Sequence, residues 1–487
     1  MKRLRSPLVP MLCIAALLAL LPLVTAACGM YKLKYPEEIN MADMSGHADH
    51  ADHAGQMNSG SGTASDGGSS CADMTEASSS APTSAFDLTA YKTKVDIGGR
   101  TVSAWTFDGT TPGPELRVQQ GDRVIVNLNN KDIDSGVTIH WHGIVLPCSQ
   151  DGVAGVTQDA ISPGESFTYE FIAGHAGTYW YHSHQQSSEQ AQKGLIGRLI
   201  VEPREDSLRY DRDYAVTLQK LADKHWLTNG KRGGDTLAAK PGERIRLRLI
   251  NSSSEVQWMG VAGADFQVVS MDGQDLNGPD VIRDQWIPIG GGQRYDVLLA
   301  MPQSGQVEVY SRNKEALRVT LGEGTAPALL DKKGAEFDLA SYGTPLDDGV
   351  TADMTFDREY ELVLGLLDIN GKRFHDIPPL MVKEGEWIKI TLKHEFGAEH
   401  PMHMHGHLFK VLTKNGKPLT GSPVYADSVL LFQGDEYEIA FQANNPGLWM
   451  EHCHNLGHAA NGMSMMINYE GVTTPYRVGT KSGNLPD

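Results

Sequence analysis

The sequence predicts an all-β protein of three related sandwich or barrel domains, and three observations carry that expectation. From about residue 85, short runs rich in β-branched and aromatic residues recur between Gly, Pro, Asn and Asp, at 123–128, 166–172, 244–250, 296–300, 387–392 and 437–441. Several runs alternate with a period near two, as in Arg244-Ile245-Arg246-Leu247-Arg248-Leu249, the pattern of a half-buried strand. A Gly-acid turn leading into a strand occurs three times, in Val118-Gln119-Gln120-Gly121-Asp122-Arg123, Lys240-Pro241-Gly242-Glu243-Arg244 and Val382-Lys383-Glu384-Gly385-Glu386-Trp387, so the domains read as repeats. Long amphipathic helical patterns are scarce.

The chain opens on a leader. Lys2, Arg3 and Arg5 precede an apolar run from 8 to 24 that carries Pro10 and Pro22 and ends in Thr25-Ala26-Ala27-Cys28-Gly29. A basic start, an apolar middle and a small-residue end read as a secretory signal over 1–27 rather than a permanent span. Its end resembles the lipobox of bacterial lipoproteins. That implies an exported chain lipidated at Cys28 and held on a bacterial membrane, at the cell surface or in the periplasm. Residues 28–84 read as a flexible tether, because few large apolar side chains are present to offset the entropy of ordering. Within it His47, His50 and His53 recur at three-residue spacing near Met41, Met44 and Met57, donors suited to soft or borderline metal ions. Domains are expected at 85–203, 204–345 and 346–474, with a C-terminal tail at 475–487. A length of 487 residues accommodates about three domains of ordinary size.

Composition acts by exclusion. Lys+Arg number 42 against 60 Asp+Glu, and a net charge of -18 has the wrong sign for neutralising nucleic-acid phosphates. Of five cysteines, Cys13 lies in the leader and Cys28 at its end. An oxidising compartment permits a Cys71–Cys148 disulfide, and Cys453 stands apart.

The histidines carry the chemistry. Eighteen His would give about one His-x-His by chance, and five occur: His140/His142, His182/His184, His403/His405, His405/His407 and His452/His454. In a strand, residues i and i+2 face the same way, so each pair presents two imidazoles to one side. Four converging pairs supply eight nitrogen donors, too many for one zinc and suited to a cluster. The last pair encloses Cys453, with His458 and Met463 following. Thiolate, imidazole and thioether at that spacing read as a blue-copper site, with two His and one Cys in a plane and a weak axial Met. The second His is His400, which opens His400-Pro401-Met402-His403-Met404-His405. Cys453 faces one side of its strand while His452 and His454 face the other, so one covalent path joins a mononuclear site to the cluster.

On His140-Trp141-His142-Gly143, His182-Ser183-His184, the 400–405 motif and the 452–463 motif, the chain resembles the multicopper oxidases over roughly residues 88–470. Laccases and cuprous oxidases are its nearest functional kin. The resemblance implies three cupredoxin-like Greek-key domains and four copper ions. His400, Cys453 and His458, with Met463 axial, would hold type 1 copper, and His140 with His403 would hold type 2. His142, His182 and His454 would hold one type 3 copper, and His184, His405 and His452 the other. The cluster would lie between the first and third domains, and 204–345 would supply no ligand.

Asp151 sits nine residues after His142, where many bacterial members keep an acid that relays protons. The acid those relatives also carry directly after the second type 1 His is Ala459 in this chain. His407 matches no ligand position and reads as structural, as do the lone His175, His225, His375 and His394. The expected reaction is one-electron oxidation of a phenolic or aromatic reductant coupled to four-electron reduction of O2 to water. The alternative is oxidation of Cu(I) in copper tolerance. Only Met354 and Met381 occur between 345 and 399, so the Met-rich insert of cuprous oxidases is not visible. Copper nitrite reductase is disfavoured, because it lacks the His-Cys-His arrangement feeding a type 3 pair. A monomer is the favoured state.

Overall fold

The computed structural model describes residues 33–46, 68–76, 80–205, 208–222 and 224–487. Strands dominate, in three sandwiches. In domain 1, Thr101–Phe107, Thr83–Asp96, Arg123–Asn130 and Ser166–Ile172 form one sheet, in that order. Glu115–Gln119, Ile196–Glu202, Gly177–His182 and His140–His142 form the other. Domain 2 pairs a six-stranded sheet around Arg244–Asn251 with a five-stranded sheet around Val307–Ser311. Domain 3 pairs a sheet around Trp387–His394 with one in which Ser464–Tyr469, Leu448–Cys453, His400–Met404 and Ser428–Leu431 are successive neighbours.

The repeated turn is a repeated structure. In each domain an early strand pairs in parallel with the strand that follows the turn: Thr83–Asp96 with Arg123–Asn130, Arg212–Leu221 with Arg244–Asn251, and Arg358–Leu364 with Trp387–His394. Gly121, Gly242 and Gly385 take φ of 81°, 79° and 91°, a left-handed conformation that a side chain would oppose. The following acid closes the turn. Asp122, Glu243 and Glu386 accept the backbone N–H three residues earlier, from Gln119, Lys240 and Lys383, at 3.1, 2.8 and 2.8 Å.

Strand 123–130 alternates in burial as its sequence predicts. The strand Arg244–Asn251 does not, and here the half-buried expectation is corrected. Arg246 and Arg248 are buried, because this face meets domain 1 instead of solvent. Arg246 bonds Asp296 at 2.6 Å, and Arg248 bonds Asp213 at 2.8 Å and, across the domain boundary, Thr178 at 2.9 Å. Buried guanidinium groups persist when such partners satisfy them.

Both terminal readings need correction. The expected tether 28–84 is not one uniform spacer. Ile39 exchanges backbone hydrogen bonds with Val478, Asn468 donates to Met41 O, and Ser69–Ser70 pairs with Val472–Thr473. Cys71 and Cys148 form the disulfide. A few anchors suffice to dock a segment poor in large apolar side chains, and average composition hides them. Met41 is fully buried in the core and Met44 packs against it, which takes both thioethers from the imagined metal set. His47, His50, His53, Met57 and Cys28 lie outside the described residues. The 475–487 tail is likewise part of the body. Asp487 bonds Ser187 and Ser464 at 2.9 and 2.7 Å, and Asn484 bonds Asp159 at 2.7 Å. Among the described residues no helix is long and apolar enough to cross a membrane.

Candidate metal centre

Strand geometry places the donors. His140, Trp141 and His142 form a buried three-residue strand, with His140 opposite His182 and Trp141 turned into an aromatic cluster of Tyr169, Phe171 and Tyr181. In domain 3, His403 lies opposite His452 and Met402 opposite Cys453 on neighbouring antiparallel strands. The two domains interlock through their imidazoles. His140 stacks on His405 with ring centroids 3.9 Å apart, and His142 stacks on His403 at 3.8 Å.

The donors within 4.8 Å of one another include His184, His405 and His452, the set expected for one ion. They also include His140, His403 and His405, and His140, His142 and His182. The expected set of His142, His182 and His454 is more open. Its ring centroids are 6.0 Å apart for His142–His182, 4.7 Å for His142–His454 and 5.4 Å for His182–His454. All eight rings share one cavity between domains 1 and 3.

The residues fit a metal cluster. His140 Nε2, His182 Nε2, His184 Nε2, His403 Nε2 and His452 Nδ1, with both ring nitrogens of His142 and of His454, are buried with no hydrogen-bond partner. Each such atom costs about 1–3 kcal/mol when nothing satisfies it. His142 Nε2 lies 3.2 Å from Asp427 Oδ1 but off hydrogen-bonding alignment. Burial, then mutual repulsion, holds His142, His184, His405, His452 and His454 well below the ordinary imidazole value. Neutral rings are the state that donates lone pairs.

The opposite nitrogens are pinned. His140 Nδ1 donates to Asp151 O at 2.9 Å, His182 Nδ1 to Ser183 O at 3.0 Å, His184 Nδ1 to Pro486 O at 3.0 Å and His403 Nδ1 to Asp427 O at 2.9 Å. His405 Nδ1 donates to Asp151 Oδ2 at 2.8 Å, and Asp151 Oδ1 lies 3.1 Å from His140 Nδ1. Such bonds fix each ring's orientation and tautomer. Asp151 thus holds one imidazole from each domain. The sequence set it beside the cluster as an acid, and both its oxygens face ring nitrogens. Ala459 is buried and offers no carboxyl.

The second site has other chemistry. Cys453 Sγ lies 3.6 Å from His400 Nδ1 and 3.7 Å from His458 Nδ1, and the two nitrogens are 3.1 Å apart. Burial pushes the Cys453 thiol up, so a cation must displace its proton for thiolate to form. His400 Nε2 is tied to Gly365 O at 2.9 Å, and His458 Nε2 lies 3.1 Å from Asn455 Nδ2. Met463 is fully buried, its N–H bonded to His458 O and its carbonyl to Cys453 N.

Sequence reasoning missed the supports. Asp427, in a short turn with no motif, accepts both Arg294 terminal nitrogens at 2.9 and 2.7 Å. Burial opposes its charge, and Arg294 and His403 outweigh that, keeping it ionised. A Cβ at Gly143 would collide with Arg294 and Asp427, so the glycine after His142 makes room for this pair. Glu451, directly before His452, is buried with Oε2 unpaired, and burial raises its pKa. His407 binds Tyr469 at 2.7 Å, as a structural residue does. His175, His225 and His375 join no donor group. His394 is buried with both ring nitrogens unpartnered and its ring 4.4 Å from that of His400, so it is not a remote structural histidine.

Family models described as multicopper oxidase match residues 89–206, 179–335 and 343–471. The chain is 27% identical to laccase-1 of Botryotinia fuckeliana, over 79% of this chain and 82% of that protein. It is 26% identical to a copper resistance protein A homolog of Pseudomonas syringae pv. tomato, over 79% and 92%. It superposes on the crystal structure of a multi-copper oxidase from Pseudomonas thermotolerans with a TM-score of 0.66 at 29% identity, covering 80% and 100%.

Burial holds His400 down to about 3 and His458 down to about 4, with neighbouring imidazoles adding to the effect. Both lie below the unfolded value of about 6.5, so the unfolded chain takes up protons that the fold refuses. The metal-free protein should therefore be most stable above about pH 6.5 and lose stability as pH falls towards 4, on the order of 1 kcal/mol per histidine per pH unit. Melting temperatures of metal-free protein at pH 7 and pH 5 measure this, and a higher value at pH 5 would contradict it.

Proposed function

The chain belongs to the multicopper oxidase family, an oxidoreductase that uses O2, and on that premise we propose that it is laccase-like, oxidising phenolic or aromatic reductants with four copper ions. One observation carries this reading. A Cys453–His400–His458 site is joined, through the backbone on either side of Cys453, to His452 and His454 of the eight-imidazole cavity. Bound copper would supply the one-electron acceptor at Cys453 and the centre for O2 reduction among the imidazoles. His400, Cys453 and His458, together with Met463, would hold the first ion. His140, His142, His182, His184, His403, His405, His452 and His454 would hold the other three.

The chain's residues set the rest. Cys453 gives the electron a short covalent route to His452 and His454. Asp151 and Asp427 hold imidazoles from both domains at fixed angle, so the cavity keeps its shape as charge changes. Reduction of O2 to water consumes four protons, and Asp151, in contact with His140 and His405, is the carboxylate best placed to relay them.

A phenol is favoured over a metal ion because, among the described residues, every group of three His, Cys, Asp or Glu able to hold an ion belongs to these two sites. The Cu(I) reading draws on His47, His50 and His53 and on the likeness to a copper resistance protein. Export and lipidation at Cys28 remain part of the proposal. The leader supports them, and the Cys71–Cys148 disulfide suits an oxidising compartment.

Oxygen uptake with a methoxyphenol and with Cu(I), side by side, tests the substrate. The phenol should give the larger kcat/KM, and the reverse order would favour the metal-oxidase reading. Cys453→Ser should abolish the blue absorption and oxidase activity, since a hydroxyl is a poor soft ligand. Blue colour retained in that variant would refute the site. Asp151→Asn should leave anaerobic bleaching by substrate at a normal rate and slow reoxidation by O2 about 100-fold per bound copper. Normal reoxidation in fully loaded protein would leave Asp151 a purely positioning residue.

A further inference from the structure

We propose that a lipid bilayer lies directly against the face made by 33–38, 372–376 and 479–483, and that the body is held there on a short stalk. The inference rests on the reading that Cys28 is lipidated. It gives the anchored molecule a fixed side turned to the lipid, in place of the long tether that composition suggests.

Chain length sets the reach. Only residues 29–32 separate Cys28 from Leu33, the first described residue. At up to about 3.6 Å per residue, a lipid-bearing Cys28 stands no more than about 18 Å from Leu33. A free coil over the whole of 28–84 would spread over about 40 Å. From Leu33 onward the chain is fastened. Thr480 N and Lys481 N donate to the carbonyls of Pro36 and Glu37 at 3.1 and 2.9 Å, and Ile39 and Val478 exchange backbone bonds at 2.8 and 2.9 Å. The Tyr35 hydroxyl donates to the Asp487 carbonyl at 2.6 Å, and its ring lies 5.9 Å from that of Phe374. Asn40 Nδ2 donates to Thr474 O at 2.9 Å, and Met41 is fully buried. These anchors join the first described residues to two other stretches of chain, and the three stretches make one face.

Charge agrees with reach. The chain as a whole carries -18 and is repelled by an anionic bilayer. The three stretches hold Lys34, Lys372, Arg373 and Lys481 against Glu37, Glu38 and Asp376, so this face is spared that repulsion. Lys34, Lys372 and Lys481 are exposed, and ammonium groups near anionic headgroups are attracted to them. Lys481 lies 3.3 Å from Glu38, yet its side chain is 72% exposed and open to a headgroup phosphate.

Amine acetylation of the copper-loaded enzyme, read residue by residue by mass spectrometry, tests this. The protein is carried on vesicles of phosphatidylcholine and phosphatidylglycerol in two ways. One uses its own lipid, and the other couples the Cys28 thiol of a chain made without the leader to a maleimide lipid. Relative to unanchored enzyme, Lys34, Lys372 and Lys481 should react about fivefold slower on either vesicle, the scale of one lysine's attraction to an anionic surface. Lys240 and Lys332, exposed in domain 2, should keep their rates. A Gly/Ser insert of about 20 residues after Gly29, which adds about 25 Å of reach, should restore the three rates. Equal protection of all five lysines, or of none, overturns the face. Protection that survives the insert overturns the short stalk. An exported enzyme without lipid at Cys28, with the three lysines protected in the coupled protein, refutes the lipidation reading and supports the face. Lipid found at Cys28 with the three lysines unprotected leaves that reading standing and overturns the face.

Discussion

The burial of eight imidazoles between two domains, seven of them with an unsatisfied nitrogen, is the constraint on which the rest of this structure depends. Left alone, those nitrogens would make the interface unstable, because a buried polar atom without a partner costs more than most single contacts return. The fold answers from behind the rings. Asp151 and Asp427 and the carbonyls of Ser183 and Pro486 occupy outer nitrogens, which leaves lone pairs converging on the cavity. The stacked pairs His140–His405 and His142–His403 make each domain's motif the wall of the other's.

Domain 2 supplies no member of the donor groups, yet the cavity leans on it. Arg294 reaches out of its sheet to fork onto Asp427, whose carbonyl holds His403. Asp272 accepts Arg294 N at 2.9 Å and Ser428 N at 3.2 Å, linking the same arginine to the turn that carries Asp427. Burial and the nearby Asp427 charge raise the pKa of Asp272, and Arg294 opposes them. A middle domain without ligands thus acts as an electrostatic brace.

The ends of the chain serve similarly. The 33–46 and 68–76 segments and the 475–487 segment close over domains 1 and 3, and Pro486 touches His184 directly. Cys148 begins the turn that Asp151 ends, so the disulfide to Cys71 is tied at short range to the carboxylate that holds two imidazoles. Its sulfur also accepts Leu448 N at 3.3 Å, at the start of the strand that ends in Cys453.

The sequence by itself determined what depends on local spacing. Period-two alternation predicted the strands, the Gly-acid phrase marked the three repeats, and His-x-His with Cys453 between its last pair announced which atoms would share a face, because a strand's side chains alternate whatever surrounds it. Only the tertiary structure decided what depends on which surfaces meet. Arg246 and Arg248 read as a wet face and are buried, because domain 1 covers them. Asp427 and Arg294 carry no motif, and Asp427 matters because a distant turn lands beside His403. Composition made 28–84 a tether and 475–487 a tail, while Met41, Cys71 and Asn484 dock them. His394 looked solitary by sequence and lies against His400, since five residues of loop return the chain to the same site. Spacing is encoded within a few residues, whereas burial, partnership and charge compensation are settled by which strands, turns and domains the fold brings together.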